Sequence, residues 1–468
     1  MITTTAKISV QDRWRKLLSN QRLGSGAPLP TSSARSAFHQ DYDRLVFSHS
    51  FHKLNQKTQV HPLTNQLGIH TRLTHSLEVS CIGRSLAMMA AEKLQSALPA
   101  GLPSGVTPTD FGVVMQAACL AHDIGNPPFG HAGEFAIRDW VASPNRQAML
   151  DKLSFHEQLD LLAYEGNAQG FRLLTQNEHH PDKGGMRLTC ATLGVFMKYP
   201  WLSVDVNRSY ANQNTDNAQN FRTLKKFGSF QSESKQLLLL AETLGLPPSP
   251  YHDGFCRHPL AYLLEAADDI CYALIDLEDG VHLGILNVAE VTAILFDIIG
   301  ERPSAIPEHS SVRQHLAMLR ARAMMRLVGH ITDVFVKYHD DILAGHLQGS
   351  LFDYCQDDIK NGIGSAKKLA QVQIFNHPSK VRMELTANQC LNRLLDAFMP
   401  LALAKPSPSF EEERLLLILA PHLREHRRVL NDNLYHNLLN ILDFITGMND
   451  HEAYRLAQEL QGQLPTLI

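Results

Sequence analysis

The stretch Met115 to Glu134, MQAACLAHDIGNPPFGHAGE, carries the strongest indication of the fold. Its first half is an apolar run typical of a buried helix, and this run ends at His122-Asp123. A neutral imidazole next to a carboxylate, placed where a helix ends, can reach one divalent cation. Taken alone, such a doublet is more often a chance pair than a metal site, so this interpretation depends on further ligands elsewhere in the chain.

The second half of the same stretch turns the backbone with Gly and Pro residues and then reaches His131 and Glu134. If that piece is helical, these two side chains share one face, because they are three residues apart. A carboxylate behind a histidine fixes its tautomer and raises its basicity, as acid–base chemistry requires. The spacing therefore predicts a catalytic pair.

A second candidate segment lies upstream, where His70 to Glu78 reads HTRLTHSLE. Arg72 and His75 lie on one helical face and combine a permanent cation with a potential metal ligand. The planar guanidinium suits phosphate oxygens because it donates two parallel hydrogen bonds. Taken singly, the segment fits an ordinary amphipathic helix equally well.

A third segment lies downstream, where Glu265 to Asp279 reads EAADDICYALIDLED. Asp268, Tyr272 and Asp276 recur every four residues and form one polar stripe on an otherwise apolar helix. Such a stripe suits a cation at one end and a sugar hydroxyl further along. An exposed acidic face is the alternative.

Composition excludes several classes of protein. The 468 residues carry 43 Lys+Arg against 47 Asp+Glu, and 44% are hydrophobic, which argues against disorder and against a basic nucleic-acid coat. The seven cysteines are scattered without a C-x-x-C pair, which favours reduced thiols over a disulfide framework. No apolar stretch approaches the ~20 residues that span a bilayer. We expect a soluble, cytoplasmic protein with no membrane partner.

The apolar spacing predicts a mostly α fold with few or no strands, and no internal repeat is visible. Asp110 is predicted to be the N-cap of a helix from Phe111 to Leu120, and the polar insert Asp205 to Asn220 is predicted to be a surface loop. Further helical segments are predicted at 234–245, 259–280, 287–300, 311–346, 380–403, 409–420 and 429–447.

The order H…HD…D, formed by His75, His122-Asp123 and Asp268, resembles the HD metal-dependent phosphohydrolase superfamily. More narrowly, the chain resembles the bacterial deoxyguanosine triphosphate triphosphohydrolase (dGTPase) family over nearly its whole length. The matching segments are Lys57 to Val60, Thr71 to Val79, His122 to Glu134, Glu165 to Gln169, Lys198 to Pro200, Lys226 to Gly228, Arg257 to Asp279 and Asp443 to Asp450.

This resemblance implies a helical HD-domain core with additional helices from the C-terminal half. It suggests a polar N-terminal segment at 1–40 and an HD catalytic core at 41–290. A helical region at 291–468 would complete the nucleotide site and supply oligomer contacts.

The resemblance also implies roles for individual residues. Those implied as metal ligands are His75, His122, Asp123 and Asp268, for a cation that could be Mn, Mg, Fe, Ni or Zn. His131 and Glu134 match the catalytic pair. The substrate contacts implied are Gln59, Tyr272 and Asp276 for the sugar, Arg72, Lys198 and Tyr199 for phosphate, and Asn167 in the active-site stretch.

The implied activity is hydrolysis of dGTP and other dNTPs to a deoxynucleoside and triphosphate, in a homo-oligomer for which a hexamer is favoured. A dNTP activator and single-stranded DNA are further partners that the resemblance allows. Asn437 to Asn440 reads NLLN where the family carries arginines, which favours relaxed base selectivity. The alternatives are an HD-type phosphohydrolase or phosphodiesterase of other specificity, and a nucleotide-sensing or DNA-binding protein with low turnover.

Overall fold

The computed structural model of this protein describes residues 9–24, 35–58, 70–177, 185–203, 226–300, 311–403, 407–425 and 428–463. The surface loop predicted at Asp205 to Asn220 lies outside the described residues, and so does Gln59.

Helices dominate the described residues, which contain isolated β-bridges but no strand, and this confirms the prediction of a mostly α fold. In chain order the α-helices are α1 (Val10–Leu17), α2 (Ala37–Val46), α3 (His49–Lys53), α4 (Arg72–Ala97), α5 (Pro108–Ala121), α6 (His131–Ala142), α7 (Gln147–Leu150), α8 (Phe155–Leu162), α9 (Gly166–Arg172), α10 (Cys190–Phe196), α11 (Ser234–Leu244), α12 (Pro259–His282), α13 (Val288–Ile299), α14 (Val312–Lys337), α15 (His339–Ala344), α16 (Asp357–Leu369), α17 (Pro378–Phe398), α18 (Phe410–Glu425), α19 (Leu434–Thr446) and α20 (Asp450–Glu459). Shorter 3₁₀ helices lie at Leu54–Gln56, Pro144–Arg146, Gln231–Glu233, Leu351–Tyr354 and Met399–Ala402, and π-helical turns lie at Leu173–Asn177 and Ala370–Phe375.

The start of α5 differs from its prediction. Thr107, not Asp110, is the N-cap, because its side chain accepts a hydrogen bond from the Asp110 backbone N–H. Asp110 returns the interaction by accepting from the Thr107 backbone N–H at 2.8 Å. This reciprocal capping box, with Pro108 at the first helical position, lets the helix begin earlier than the apolar run suggests.

Helix α5 is buried on nearly every side, as expected of a helix that is apolar all round. It packs against α4, and α12 packs against α4 and α5 in turn. Because α5 ends inside the protein, its C-cap residue His122 is buried. This three-helix arrangement brings the polar stripe of α12 towards the end of α5.

The described apolar side chains form two core clusters. The first contains Trp14, Phe111 and Ile270 and extends through α14 to Ile374. The second contains Ile137, Leu391 and Leu442 and unites α6, α17 and α19. Helix α17 packs against both α6 and α20, so the C-terminal helices support the helix that starts at His131.

The helices predicted between residues 234 and 447 are confirmed, with 311–346 divided into α14 and α15. The analysis of periodicity missed α16 and the π-helical turn at Ala370–Phe375. Of the helices in the described ranges, none combines the length and the apolarity needed to cross a membrane. The boundaries at residues 40 and 290 stay predictions.

Candidate active site

Side chains from three helices converge in the interior of the protein. His75 lies on α4, His122 caps α5, and Asp268 lies on α12. Their ligand atoms all lie within 4.8 Å of one another. Asp268 Oδ1 is 3.1 Å from His75 Nε2 and 3.4 Å from His122 Nε2. Two imidazoles and a carboxylate in this arrangement form a candidate site for a divalent cation.

The tautomer of His122 suits a metal ligand. Its Nδ1 is 2.6 Å from the carbonyl oxygen of Cys119, so Nδ1 carries the hydrogen and donates it. The other nitrogen, Nε2, then presents a lone pair. It is buried and has no hydrogen-bond partner among the described residues. A bound cation would satisfy this nitrogen.

Asp123 lies beside this cluster rather than within it. Its Oδ1 is 3.8 Å from His122 Nε2 and accepts hydrogen bonds from Arg72 Nη1 at 2.9 Å and Asn126 Nδ2 at 2.7 Å. Its other oxygen, Oδ2, is buried without a hydrogen-bond partner in the described parts of the chain. Three of the four predicted ligands therefore converge, and the fourth keeps one free oxygen next to them.

The electrostatics of the cluster favour positive charge. Burial opposes the charged form of His122, but the carboxylates of Asp123 and Asp268 outweigh burial and raise the pKa of His122. Burial also opposes ionisation of Asp268, but Lys198 and His122 hold the pKa of its carboxyl well below the usual range. Lys198 Nζ lies 2.7 Å from Asp268 Oδ2. The predicted phosphate contact Lys198 thus pairs directly with a candidate metal ligand.

The loop between Asp123 and His131 depends on glycine at two positions. Gly125 has φ 105°, and a Cβ there would lie 2.2 Å from the backbone nitrogen of Gly170. Gly130 has φ 59°, and a Cβ there would lie 2.4 Å from Arg72 Nη2. Only glycine tolerates both conditions, which explains how the loop folds back tightly beside the cluster.

His131 and Glu134 form the predicted pair at the start of α6. His131 Nδ1 lies 2.9 Å from Glu134 Oε2, and Glu134 Oε1 accepts from the backbone N–H of Gly166 at 2.8 Å. Burial favours the neutral acid, but His131 and Arg138 outweigh burial and lower the pKa of Glu134. The Glu134 side chain is buried, whereas that of His131 is 65% exposed. A fixed, ionised carboxylate therefore orients an accessible imidazole.

One cavity of about 660 Å³ unites these groups. Of the predicted site residues, those that line it are Arg72, His122, Asp123, His131, Asn167, Lys198, Tyr199, Asp268, Tyr272 and Asp276. Two further predicted residues contact this lining without being part of it: His75 contacts Asp268, and Glu134 contacts His131. Gln59 lies outside the described residues.

Comparison with known proteins identifies the family of the chain. Residues 72–189 match the HD domain. The chain is 42% identical over 457 residues to a deoxyguanosinetriphosphate triphosphohydrolase-like protein of Pseudomonas aeruginosa, covering 96% of this chain and 99% of the relative. It is 39% identical to a protein of the same description from Synechocystis, with the same coverage. It is 32% identical to the deoxyguanosinetriphosphate triphosphohydrolase of Cronobacter sakazakii, covering 78% of this chain and 77% of the relative. The chain belongs to the dGTPase family.

In this dGTPase-family protein the stripe on α12 extends along the cavity beyond the metal cluster. The Tyr272 ring lies 4.9 Å from that of His75, measured between ring centroids. Asp276 is buried at the cavity wall, and burial together with the nearby charge of Asp279 raises its pKa to about 8. The raised pKa favours the neutral acid, which can donate a hydrogen bond.

Sequence reasoning missed several cavity residues. Glu165 is buried, accepts from Asn167 Nδ2 at 2.6 Å and lies 3.2 Å from Arg138. The segments that contain Glu165 and Lys226 match the dGTPase family, but the sequence alone indicated no function for either residue. Lys367 and Lys380 come from α16 and α17, where no motif marks them, yet both line the cavity.

Leu439 and Asn440 lie away from the described cavity. Leu439 is fully buried in the second core cluster. Asn440 Oδ1 accepts hydrogen bonds from Arg172 and Arg428. Neither residue is among those that line the described cavity.

Proposed function

We propose that this protein is a metal-dependent dNTP triphosphohydrolase that converts a dNTP and water to a deoxynucleoside and triphosphate. One observation carries the proposal. In a chain of the dGTPase family, one cavity of about 660 Å³ is lined by His122 and Asp123, whose buried ligand atoms have no hydrogen-bond partner among the described residues, and by a histidine that a carboxylate orients. That volume suits a nucleotide-sized ligand.

The candidate ligands His75, His122, Asp123 and Asp268 would hold the cation. When bound, it would polarise a phosphoryl oxygen and lower the pKa of a water molecule. A mixed imidazole and carboxylate set accepts Mn, Fe, Ni, Zn or Mg, so the donor chemistry fits several metals.

His131 is proposed as the general acid. Water attacks the α-phosphorus, and the bond from this phosphorus to the 5′-oxygen breaks. The 5′-oxygen leaves with the bonding electrons and takes a proton from His131, which gives the 5′-hydroxyl of the deoxynucleoside. Triphosphate leaves with the oxygen of water, and the proton that this water loses passes to solvent, from which His131 is protonated again. An alkoxide is a poor leaving group, so this proton transfer lowers the barrier.

The remaining cavity residues are proposed to bind the substrate. Arg72, Lys198 and Tyr199 would contact phosphate oxygens, with Lys226, Lys367 and Lys380 as further cations along the wall. Tyr272 would pack against the deoxyribose, and Asp276 would donate to its 3′-hydroxyl, assisted by Gln59. Asn167 would position Glu165 beside the catalytic pair.

Assembly and context follow the family resemblance. We propose a cytoplasmic homo-oligomer, with a hexamer favoured, in which residues 291–468 complete the nucleotide site. The lining of the cavity by Lys367 and Lys380 supports that role for the C-terminal region. A dNTP activator and single-stranded DNA are further proposed partners.

Product analysis tests the reaction. The purified protein is incubated with each dNTP and Mn²⁺ in ¹⁸O-labelled water, and nucleoside, phosphate, pyrophosphate and triphosphate are separated by anion exchange. We expect deoxynucleoside and ¹⁸O-labelled triphosphate, and no product from the His122→Ala variant. Release of phosphate or pyrophosphate would identify a different phosphohydrolase. Tight binding without turnover would indicate a nucleotide sensor.

A further inference from the structure

The backbone before α6 is held in an unusual conformation. Phe129 has φ 65°, in the left-handed region that residues other than glycine rarely adopt, and its side chain is buried. Gly130 follows with φ 59°, and His131 begins the helix. A strained residue of this kind persists only where the surrounding structure holds it. The direction in which His131 enters the cavity therefore depends on what fixes Phe129.

The group that fixes Phe129 comes from the far end of the chain. Asp450, the first residue of α20, is 1% exposed, and its Oδ1 accepts the backbone N–H of Phe129 at 2.8 Å. A charged acceptor makes this hydrogen bond stronger than one to a neutral group. The contact joins residues 321 positions apart.

The other oxygen of the same carboxylate fixes a second residue that lines the cavity. Asp450 Oδ2 accepts from the Thr58 backbone N–H at 3.1 Å and from the Thr58 hydroxyl at 2.8 Å. Thr58 lines the cavity. Nearby, Lys57 Nζ donates to the carbonyl oxygens of Asn126 at 2.6 Å and Thr446 at 2.8 Å. The segment from Thr446 to Asp450 thus joins both loops that border the cluster.

We propose that Asp450 is a positioning residue that sets the orientation of His131 through the backbone of Phe129 and also fixes the neighbouring cavity residue Thr58. The catalytic half of this inference rests on the proposed function. It assigns part of the active-site geometry to a residue outside the segment that matches the HD domain, residues 72–189.

The Asp450→Asn variant tests the proposal with almost no change in shape. An amide has only one acceptor oxygen, so its NH₂ group must face either the Phe129 or the Thr58 N–H, donor against donor. We expect kcat for dNTP hydrolysis to fall about 10-fold or more. In a His131→Ala background, the same change should lower kcat by less than about 2-fold, because the oriented group is already absent.

If Asp450→Asn lowers kcat by the same factor with and without His131, the proposed role of Asp450 is overturned. A general loss of folding would have this effect, because it does not depend on His131. A wild-type protein that releases no triphosphate would contradict the proposed function instead. In that case, hydrogen exchange of backbone amides tests the positioning role of Asp450 in the absence of any substrate. We expect the Phe129 amide of Asp450→Asn to exchange at least about 10-fold faster, with α5 unchanged. Unchanged exchange at Phe129 would overturn the inference.

Two further variants serve as controls: one for the loss of a buried carboxylate elsewhere, and one for the contact of Asp450 with Thr58. Asp41 is also buried and accepts the backbone N–H and hydroxyl of Thr189, but it does not line the cavity. Asp41→Asn should lower the Tm and leave kcat per folded molecule unchanged. Thr58→Val removes one hydroxyl and leaves the bond from Phe129 intact, so we expect a higher KM with a smaller loss of kcat than in Asp450→Asn. A kcat loss as large as that of Asp450→Asn would argue against action through Phe129.

Discussion

Asp123 is the candidate ligand whose two oxygens have different partners. Its Oδ1 accepts from the guanidinium of Arg72, and its Oδ2 is left for the proposed cation. Asp123→Ala should remove bound metal and lower turnover by about 10³-fold or more, because the cation loses a ligand and Arg72 loses its anchor. Metal content by mass spectrometry and turnover with dGTP check this, with helical circular dichroism retained. The exposed Asp151→Ala is the control. Undiminished metal and full activity in Asp123→Ala would remove Asp123 from the site.

Tyr272 should decide between deoxyribonucleotides and ribonucleotides. Its ring, 4.9 Å from that of His75, lies between the metal cluster and Asp276 along α12. If the ring packs against the sugar as proposed, we expect it to exclude a 2′-hydroxyl. We expect Tyr272→Ala to raise the GTP/dGTP ratio of kcat/KM by at least about 10-fold, and Tyr272→Phe to keep the wild-type ratio. Equal hydrolysis of GTP and dGTP by the wild-type protein would contradict this role.

At the scale of elements, Asp160 joins α8 to α19 and to the turn before α11. It is fully buried and accepts hydrogen bonds from Ser203, the Gln231 backbone N–H and Tyr435. Burial, with a smaller contribution from the charge of Glu233, raises its pKa to about 7. The folded protein therefore holds a proton on Asp160 that the unfolded chain releases above about pH 4.

This difference predicts a pH-dependent stability. Because the folded pKa is raised, the stabilisation from Asp160 is complete below about pH 4 and is lost as the pH rises through about 7. Relative to Asp160→Asn, the free energy of unfolding of the wild-type protein should fall by up to about 1.4 kcal/mol per pH unit across that window. Urea denaturation at several pH values measures the difference. Parallel pH profiles for the two proteins would show that Asp160 stays ionised.

Most helices could be predicted from their apolar spacing, whether or not they carry a motif. The stripe Asp268, Tyr272 and Asp276 follows from helical geometry alone, because all three residues lie on one helix. The capping of α5 was assigned to Asp110 because the apolar run starts at the next residue, whereas the hydrogen bonds of Thr107 start the helix earlier. The local sequence did carry the signal, because Thr107 stands three residues before Asp110 with Pro108 between them, which is the pattern of a capping box.

At the scale of the whole molecule, contacts between distant segments escaped sequence reasoning. Lys367 and Lys380 reach the cavity only because the C-terminal helices pack beside α12 and α6. Asp450 reaches Phe129 through the second core, and neither residue's spacing indicates this contact. Which residues share one face of a helix can be predicted from their spacing. Which residues of distant helices come into contact depends on tertiary packing, and a single sequence does not reveal it.

Base selection is the property that depends most on the whole molecule. Leu439 lies inside the second core, Asn440 binds Arg172 beside it, and the residues that line the described cavity include Gln371 and Phe375 instead. A site that hydrogen-bonds one base rejects others strongly, whereas an apolar or adaptable lining discriminates weakly. We therefore expect more than one dNTP to be hydrolysed, with kcat/KM values within about 100-fold of one another. Steady-state kinetics on each dNTP alone and on mixtures would measure both selectivity and activation by a second nucleotide. Hydrolysis of dGTP alone, with the other three excluded by several orders of magnitude, would show that a residue beyond these side chains reads guanine.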